Sequence, residues 1–349
     1  MSRKTGKSIV KIRFKYLVEV AFVFIGLLLI FFPILFVVNF IDSSSPLYGS
    51  LFYLSRVLGL LVGLPLLLYI IRRVIKWDSD ISSRNQIGPS RSYLKLFKVT
   101  KSNFKYQLLY GILLLFLVFI PLDFIFYLIP SVIEYSFVSL TLTNTNSYLL
   151  NENYIIFLIS VLIIQISVAF YEESIVRGFL AKRGSDYFLK MSGVMISSFY
   201  FGFAHLAYII QPITFQYNVL FPVLWCLQAF LIGIILSLFT LRKYWIFPAI
   251  FAHACNNIIS AHTLWLWNQS FPFLLISIYL YFPLMVIGLM LFIWQYSRIK
   301  NGVKNGFKEF KAYFGNVSSE GESGNDKYKR ILVDFVIGVI IFFMAYIMI

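Results

Sequence analysis

Between positions 172 and 257 the chain gathers two adjacent carboxylates, an arginine, two histidines and an asparagine, residue types that move protons and donate hydrogen bonds in acid–base chemistry. They stand in three short strings. YEESIVRGFL holds Glu172, Glu173 and Arg177; FYFGFAHLA holds Phe201 and His205; FAHACNNI holds His253 and Asn257. On a helix, residues four apart share a face, so Glu173 and Arg177 can neutralise each other in the favourable acid-before-base order. Glu172 points about 100° away and stays available. Phe201 lies beside His205 and can fix the orientation of its ring, and His253 and Asn257 present an imidazole and an amide to a common point.

The elements that must carry these strings are membrane helices. The composition is 60% hydrophobic and 13% charged, with a mean hydropathy of +0.82, far from that of a soluble domain. Crossing a hydrocarbon layer takes about 20 apolar residues per helix. Such runs recur from end to end, and the pattern predicts nine spans, near 16–40, 51–71, 106–130, 153–176, 192–210, 219–241, 244–263, 273–297 and 331–349. The expected fold is an all-α polytopic bundle forming one membrane domain without internal repeats. Depth is compatible with a shared site. With Gly184 as the expected C-cap of the fourth span, Glu172 lies roughly 18 Å from that end, His205 roughly 20 Å above Ser192 and His253 roughly 14 Å above Tyr244.

The net charge of +15 raises the class of nucleic-acid binders, and its distribution removes that class. With alternating spans, all but one of the 30 basic residues fall before the first span or in 72–105, 177–190, 242–243 and 298–330, while the connections 41–50, 131–152, 211–218 and 264–272 carry none. This one-sidedness predicts a cytoplasmic N-terminus. Arg56 is the exception, expected about a turn inside the outer end of the second span, snorkelling or paired within the bundle. The basic loop 72–105 is expected to lie along the inner surface as solvated chain and short helix. In 301–330 the spacing of Val303, Phe307, Phe310 and Phe314 predicts an interfacial helix followed by a linker.

Other polar residues read as structural. Glu19 and Asp334 are expected at an interface beside a cation, and Asp123 near the outer end of the third span. His262, nine residues past His253, faces the opposite side of its helix and is left out of the site. Cys226 and Cys255 lie on different spans, which argues against a disulfide framework, and Cys255 points away from His253.

The three strings together resemble the CAAX prenyl endopeptidase and bacteriocin-processing family, whose motifs E-E-x-x-x-R, F-x-x-x-H and H-x-x-x-N occur in this order on successive core helices. The resemblance covers about 153–263. It implies an intramembrane endopeptidase acting on a membrane-associated peptide or protein, with Glu172 as general base, His205 as its partner in activating water, and His253 and Asn257 donating to the oxyanion. It places the core at 153–263 and says nothing specific of the rest, where the apolar runs predict a three-span region at 1–152 and two spans at 264–349 with a polar cytoplasmic insert at 298–330. Metal-free glutamate chemistry is the expectation. The alternative is a divalent ion such as Zn²⁺ on Glu172, His205 and His253, although H-E-x-x-H is absent. The rival function is a non-catalytic membrane scaffold or bacteriocin-immunity protein of the same fold. The expected setting is the cell membrane, with the lipid bilayer and a membrane peptide as partners and no nucleic acid.

Overall fold

The computed structural model describes residues 6–43, 45–75, 88–211, 213, 216–315 and 324–346, and every regular element in them is helical. In chain order the helices are α1 (Gly6–Val38), α2 (Pro46–Arg73), α3 (Pro89–Lys95), α4 (Phe104–Tyr127), α5 (Val132–Thr141), α6 (Tyr154–Tyr187), α7 (Lys190–Leu206), α8 (Leu220–Lys243), α9 (Phe247–Asn268), α10 (Phe273–Trp294), α11 (Tyr296–Tyr313) and α12 (Gly324–Tyr346). Long apolar runs leave the backbone no solvent partner in a bilayer, and a helix satisfies its own N–H and C=O groups.

Each of the nine expected spans falls on a helix, the last as far as residue 346. Among the described residues, seven helices are long and apolar enough to cross a membrane, contributed by α1, α2, α4, α6, α7, α8 and α10. The other two are more polar. α9 carries His253, Asn256, Asn257 and His262, and α12 carries Asp326, Lys327, Lys329, Arg330 and Asp334. Seven is therefore the number that length and composition establish.

Three of the long helices contain π segments, at Leu115–Phe119 in α4, Ser174–Ala181 in α6 and Ser277–Tyr281 in α10. Each widens the turn and rotates the remainder of its helix relative to a regular wheel. At its start α6 is capped by Asn153, whose side chain accepts from the backbone N–H groups of Ile155 and Ile156 at 3.0 and 3.3 Å. Its end corrects the sequence expectation. Gly184 is not a C-cap; the helix continues to Tyr187. The glycine is needed for packing instead, because a Cβ there would stand 2.8 Å from the Cα of Gly193 on α7. On Gly193 a Cβ would meet the carbonyl oxygen of Ala181 at 2.6 Å. Small residues let two membrane helices approach closely.

Glu19 and Asp334 have the cations expected beside them, and both are buried within the bundle, at 2% and 0% exposure. Glu19 accepts from Arg183 at 2.6 and 3.0 Å and from the Tyr187 hydroxyl, joining α1 to α6. Asp334 accepts from Arg13 at 2.6 Å and from Tyr313 at 3.0 Å, joining α12 to α1 and α11, while Arg13 also reaches Ser192 on α7. In a medium that cannot solvate charge, carboxylate and guanidinium find each other across helices distant in sequence.

The insert after α10 forms α11 as expected, with Val303 and Phe307 exposed on one face, while Glu309 ties it to Arg242 at 3.1 Å and Lys190 at 2.7 Å. Much of its expected linker, at 316–323, and the loop segment 76–87 lie outside the described residues. The described part of the basic loop supplies the short helix α3. Cys226 and Cys255 are free and half-buried.

Candidate active site

Glu172 and Glu173 sit immediately before the π segment of α6, and Arg177 lies within it. Glu173 and Arg177 are fully buried and bonded, Arg177 Nη1 donating to Glu173 Oε1 at 2.9 Å. The same oxygen accepts from His253 Nδ1 of α9 at 2.8 Å. Arg177 also lies over the Phe201 ring, 4.3 Å from its centroid, so its charge faces a carboxylate on one side and a π cloud on another. Because Nδ1 of His253 is turned to Glu173, its Nε2 is turned the other way, 3.7 Å from Glu172 Oε2. The ring is held flat against Phe119, which closes the π segment of α4, at a centroid distance of 5.7 Å and 20° between planes.

His205 lies one residue before the end of α7. Its Nδ1 is 2.9 Å from the carbonyl oxygen of Phe201, which can only accept, so Nδ1 carries the proton and Nε2 presents a lone pair. Phe201 stacks edge-on against both histidines, at 5.0 Å from His205 and 6.1 Å from His253. Glu172 and His205 line one cavity of about 340 Å³, bounded also by Tyr53, Arg56, Tyr171 and Tyr200. Glu172 is 34% exposed, whereas Glu173 beside it is sealed. His205 is within electrostatic range of Glu172, His253 and Arg177.

Five of the six residues singled out in the sequence thus converge. Asn257 lies one turn beyond His253 and is half-buried; among the described residues it bonds to none of the other five. The His253–Glu173 bond was not legible from spacing, which assigned Glu173 to Arg177 alone. Also missed was a polar seam between α4 and α9. There Asp123 lies close to Asn256 and accepts from Gln228 of α8 at 3.1 Å, and Tyr127 meets Ser260 at 2.5 Å. Asp123 is buried and within electrostatic range of His253, so the structural role expected of it is exercised beside the site. His262, left out of the site, packs among Tyr154, Phe157 and Trp265.

A metal would need at least three donors directed at one point. Among the described residues no three His, Cys, Asp or Glu side chains are grouped in that way. The bond from Nδ1 of His253 to Glu173 leaves Nε2 as the nitrogen that could face an ion, but the set Glu172, His205 and His253 lacks the required grouping as arranged.

No curated protein and no solved structure matches the chain. Residues 154–259, less than a third of the chain, match the family model described as type II CAAX prenyl endopeptidase Rce1-like. The matched segment runs from the start of α6 to the middle of α9 and includes all three strings and the contacts that join them. Over that segment, this multi-pass helical protein is similar to the CAAX protease family.

Proposed function

We propose that the chain is an intramembrane endopeptidase that hydrolyses a bond in a membrane-associated peptide through water activated by Glu172 and His205. The observation that carries this reading is the shared cavity: one accessible carboxylate and one imidazole with a free lone pair face the same 340 Å³ space. A water there donates one hydrogen bond to Glu172 and another to Nε2 of His205. Glu172 takes a proton as the water oxygen attacks the scissile carbonyl, and returns it to the leaving amine when the C–N bond breaks. His253, which donates Nδ1–H to Glu173, offers a second N–H at Nε2 when doubly protonated, and with the Asn257 amide it would stabilise the oxyanion. Glu173 and Arg177 position that ring. The chemistry is assigned to side chains and takes no metal.

The catalytic core spans 153–263, with 1–152 and 264–349 as flanking regions. In this reading the chain has nine spans in a cell membrane with its N-terminus inside, an orientation that the one-sided basic residues support. The test is Glu172→Gln, which keeps shape and removes the base. Comparison of membrane peptidomes from cells carrying the native and variant chains should show loss of cleavage products with unchanged protein level. Products that persist in the variant would remove the mechanism, and a biological effect that survives without cleavage would favour the scaffold reading.

A further inference from the structure

Arg56 is the one basic residue that breaks the one-sided charge pattern, and the water chemistry leaves it unused. It lies ten residues into α2, about 15 Å along the helix from its start, deeper than the single turn that the sequence suggested. Its guanidinium faces the cavity that holds Glu172 and His205. Nη2 donates to the Tyr171 hydroxyl at 3.0 Å, and the group lies 4.3 Å from the Tyr171 ring centroid and 5.6 Å from that of Phe52. Among the described residues these partners are all uncharged, and no carboxylate forms an ion pair with it. Tyr53 and Tyr200 lie within electrostatic range of both Arg56 and Glu172, so cation and base share one tyrosine-lined chamber.

A guanidinium at membrane depth is costly unless it is paired or hydrated, and it is seldom retained without a task. Arg183 and Arg13, elsewhere in the same bundle, each have a buried carboxylate, and Arg56 has rings in that place. Rings stabilise the cation while leaving most of its N–H donors unspent. The planar fork of those donors matches a carboxylate.

We propose that Arg56 is an anion anchor, which receives a carboxylate of the peptide bound in the cavity and thereby sets which bond comes to Glu172. This deepens the endopeptidase reading and rests on it. A carboxylate carried on a peptide can reach a chamber set this far along α2, whereas a phospholipid headgroup would have to leave the interfacial layer to do so. The anchor is a positioning group and takes no part in proton transfer.

Binding separates this role from catalysis. The full-length chain carrying Glu172→Gln, so that nothing is cut, is titrated calorimetrically in detergent with N-dodecanoyl-Leu-Leu as free acid and as carboxamide. A second pair, N-dodecanoyl-Leu-Asp-amide and N-dodecanoyl-Leu-Asn-amide, distinguishes a side-chain carboxylate from a terminal one. At least one acid should bind tenfold or more tightly than its neutral partner, a preference lost in Arg56→Gln and partly kept in Arg56→Lys. Equal binding of acid and amide in both pairs, or a preference that survives Arg56→Gln, overturns the anchor. So does Arg56-dependent binding of lysophosphatidate with neither carboxylate, which would make the site a lipid site. Retention of the preference in Arg56→Lys guards against a misfolded glutamine variant. None of these outcomes bears on whether Glu172→Gln abolishes cleavage, so the anchor can fail while the endopeptidase reading stands.

Discussion

Glu173 has two jobs that one pair of substitutions can separate. Its Oε1 accepts from Arg177 at 2.9 Å and from His253 at 2.8 Å, and neither the carboxylate nor the guanidinium has measurable exposure. Glu173→Gln removes the only carboxylate bonded to the Arg177 guanidinium among the described residues, leaving a buried cation with the Phe201 ring and a neutral amide. Breaking a buried pair from one side costs about 3–5 kcal/mol. Arg177→Met alone leaves a buried carboxylate that still holds His253, at a similar cost. In the double variant no charge is stranded, so the losses should not add, and the coupling should recover about 2–3 kcal/mol. Activity obeys another rule. His253 loses its charged acceptor in Glu173→Gln and in the double variant alike, so cleavage should fall about 100-fold or more in both and recover in neither. Thermal unfolding in detergent reports the first quantity, and turnover per folded molecule of a peptide cut by the native chain reports the second. Additive stability losses would show that the two groups do not hold each other. Recovery of activity together with stability would show that Glu173 acts only as a counter-charge.

Helix packing and metal dependence give two further outcomes. Gly193→Ala places a methyl group 2.6 Å from the carbonyl oxygen of Ala181, so α6 and α7 must separate; a lower unfolding temperature and reduced cleavage should appear together, and an unperturbed variant would contradict the packing. Cleavage by the purified chain should persist in EDTA or phenanthroline, because the candidate donors are not grouped for an ion as arranged, and activity restored by added Zn²⁺ after inhibition would reverse that assignment.

Much of the site was legible because a helix converts spacing into faces. The Glu173–Arg177 bond and the Phe201–His205 contact both arise from a separation of four residues. Spacing cannot say which helix a face meets. The bond from His253 to Glu173 joins residues 80 apart, and Phe119 against His253 joins a helix that the motifs do not include. The π segments add a local reason, since a wheel of 3.6 residues per turn misplaces everything after Leu115 or Ser174. Gly184 misled for a different cause: glycine ends helices through its freedom at positive φ, yet here its lack of a side chain serves a close helix crossing. A cation beside Glu19 and Asp334 was expected, but not which one, because Arg183 and Arg13 lie several spans away or at the other end of the sequence.

The link between Arg13 and Asp334 also bears on the walls of the cavity. One side of the cavity is formed by Phe24, Leu27, Leu28, Phe31 and Leu35 of α1, and another contact comes from Ala345 near the end of α12. That wall is thus fastened to a helix whose Asp334 lies 321 residues further along the chain than Arg13. Without that distant helix the chamber lacks part of its wall and Arg13 lacks its counter-ion. A change at Asp334, which lines none of the cavity, is therefore expected to reach the chamber through α1.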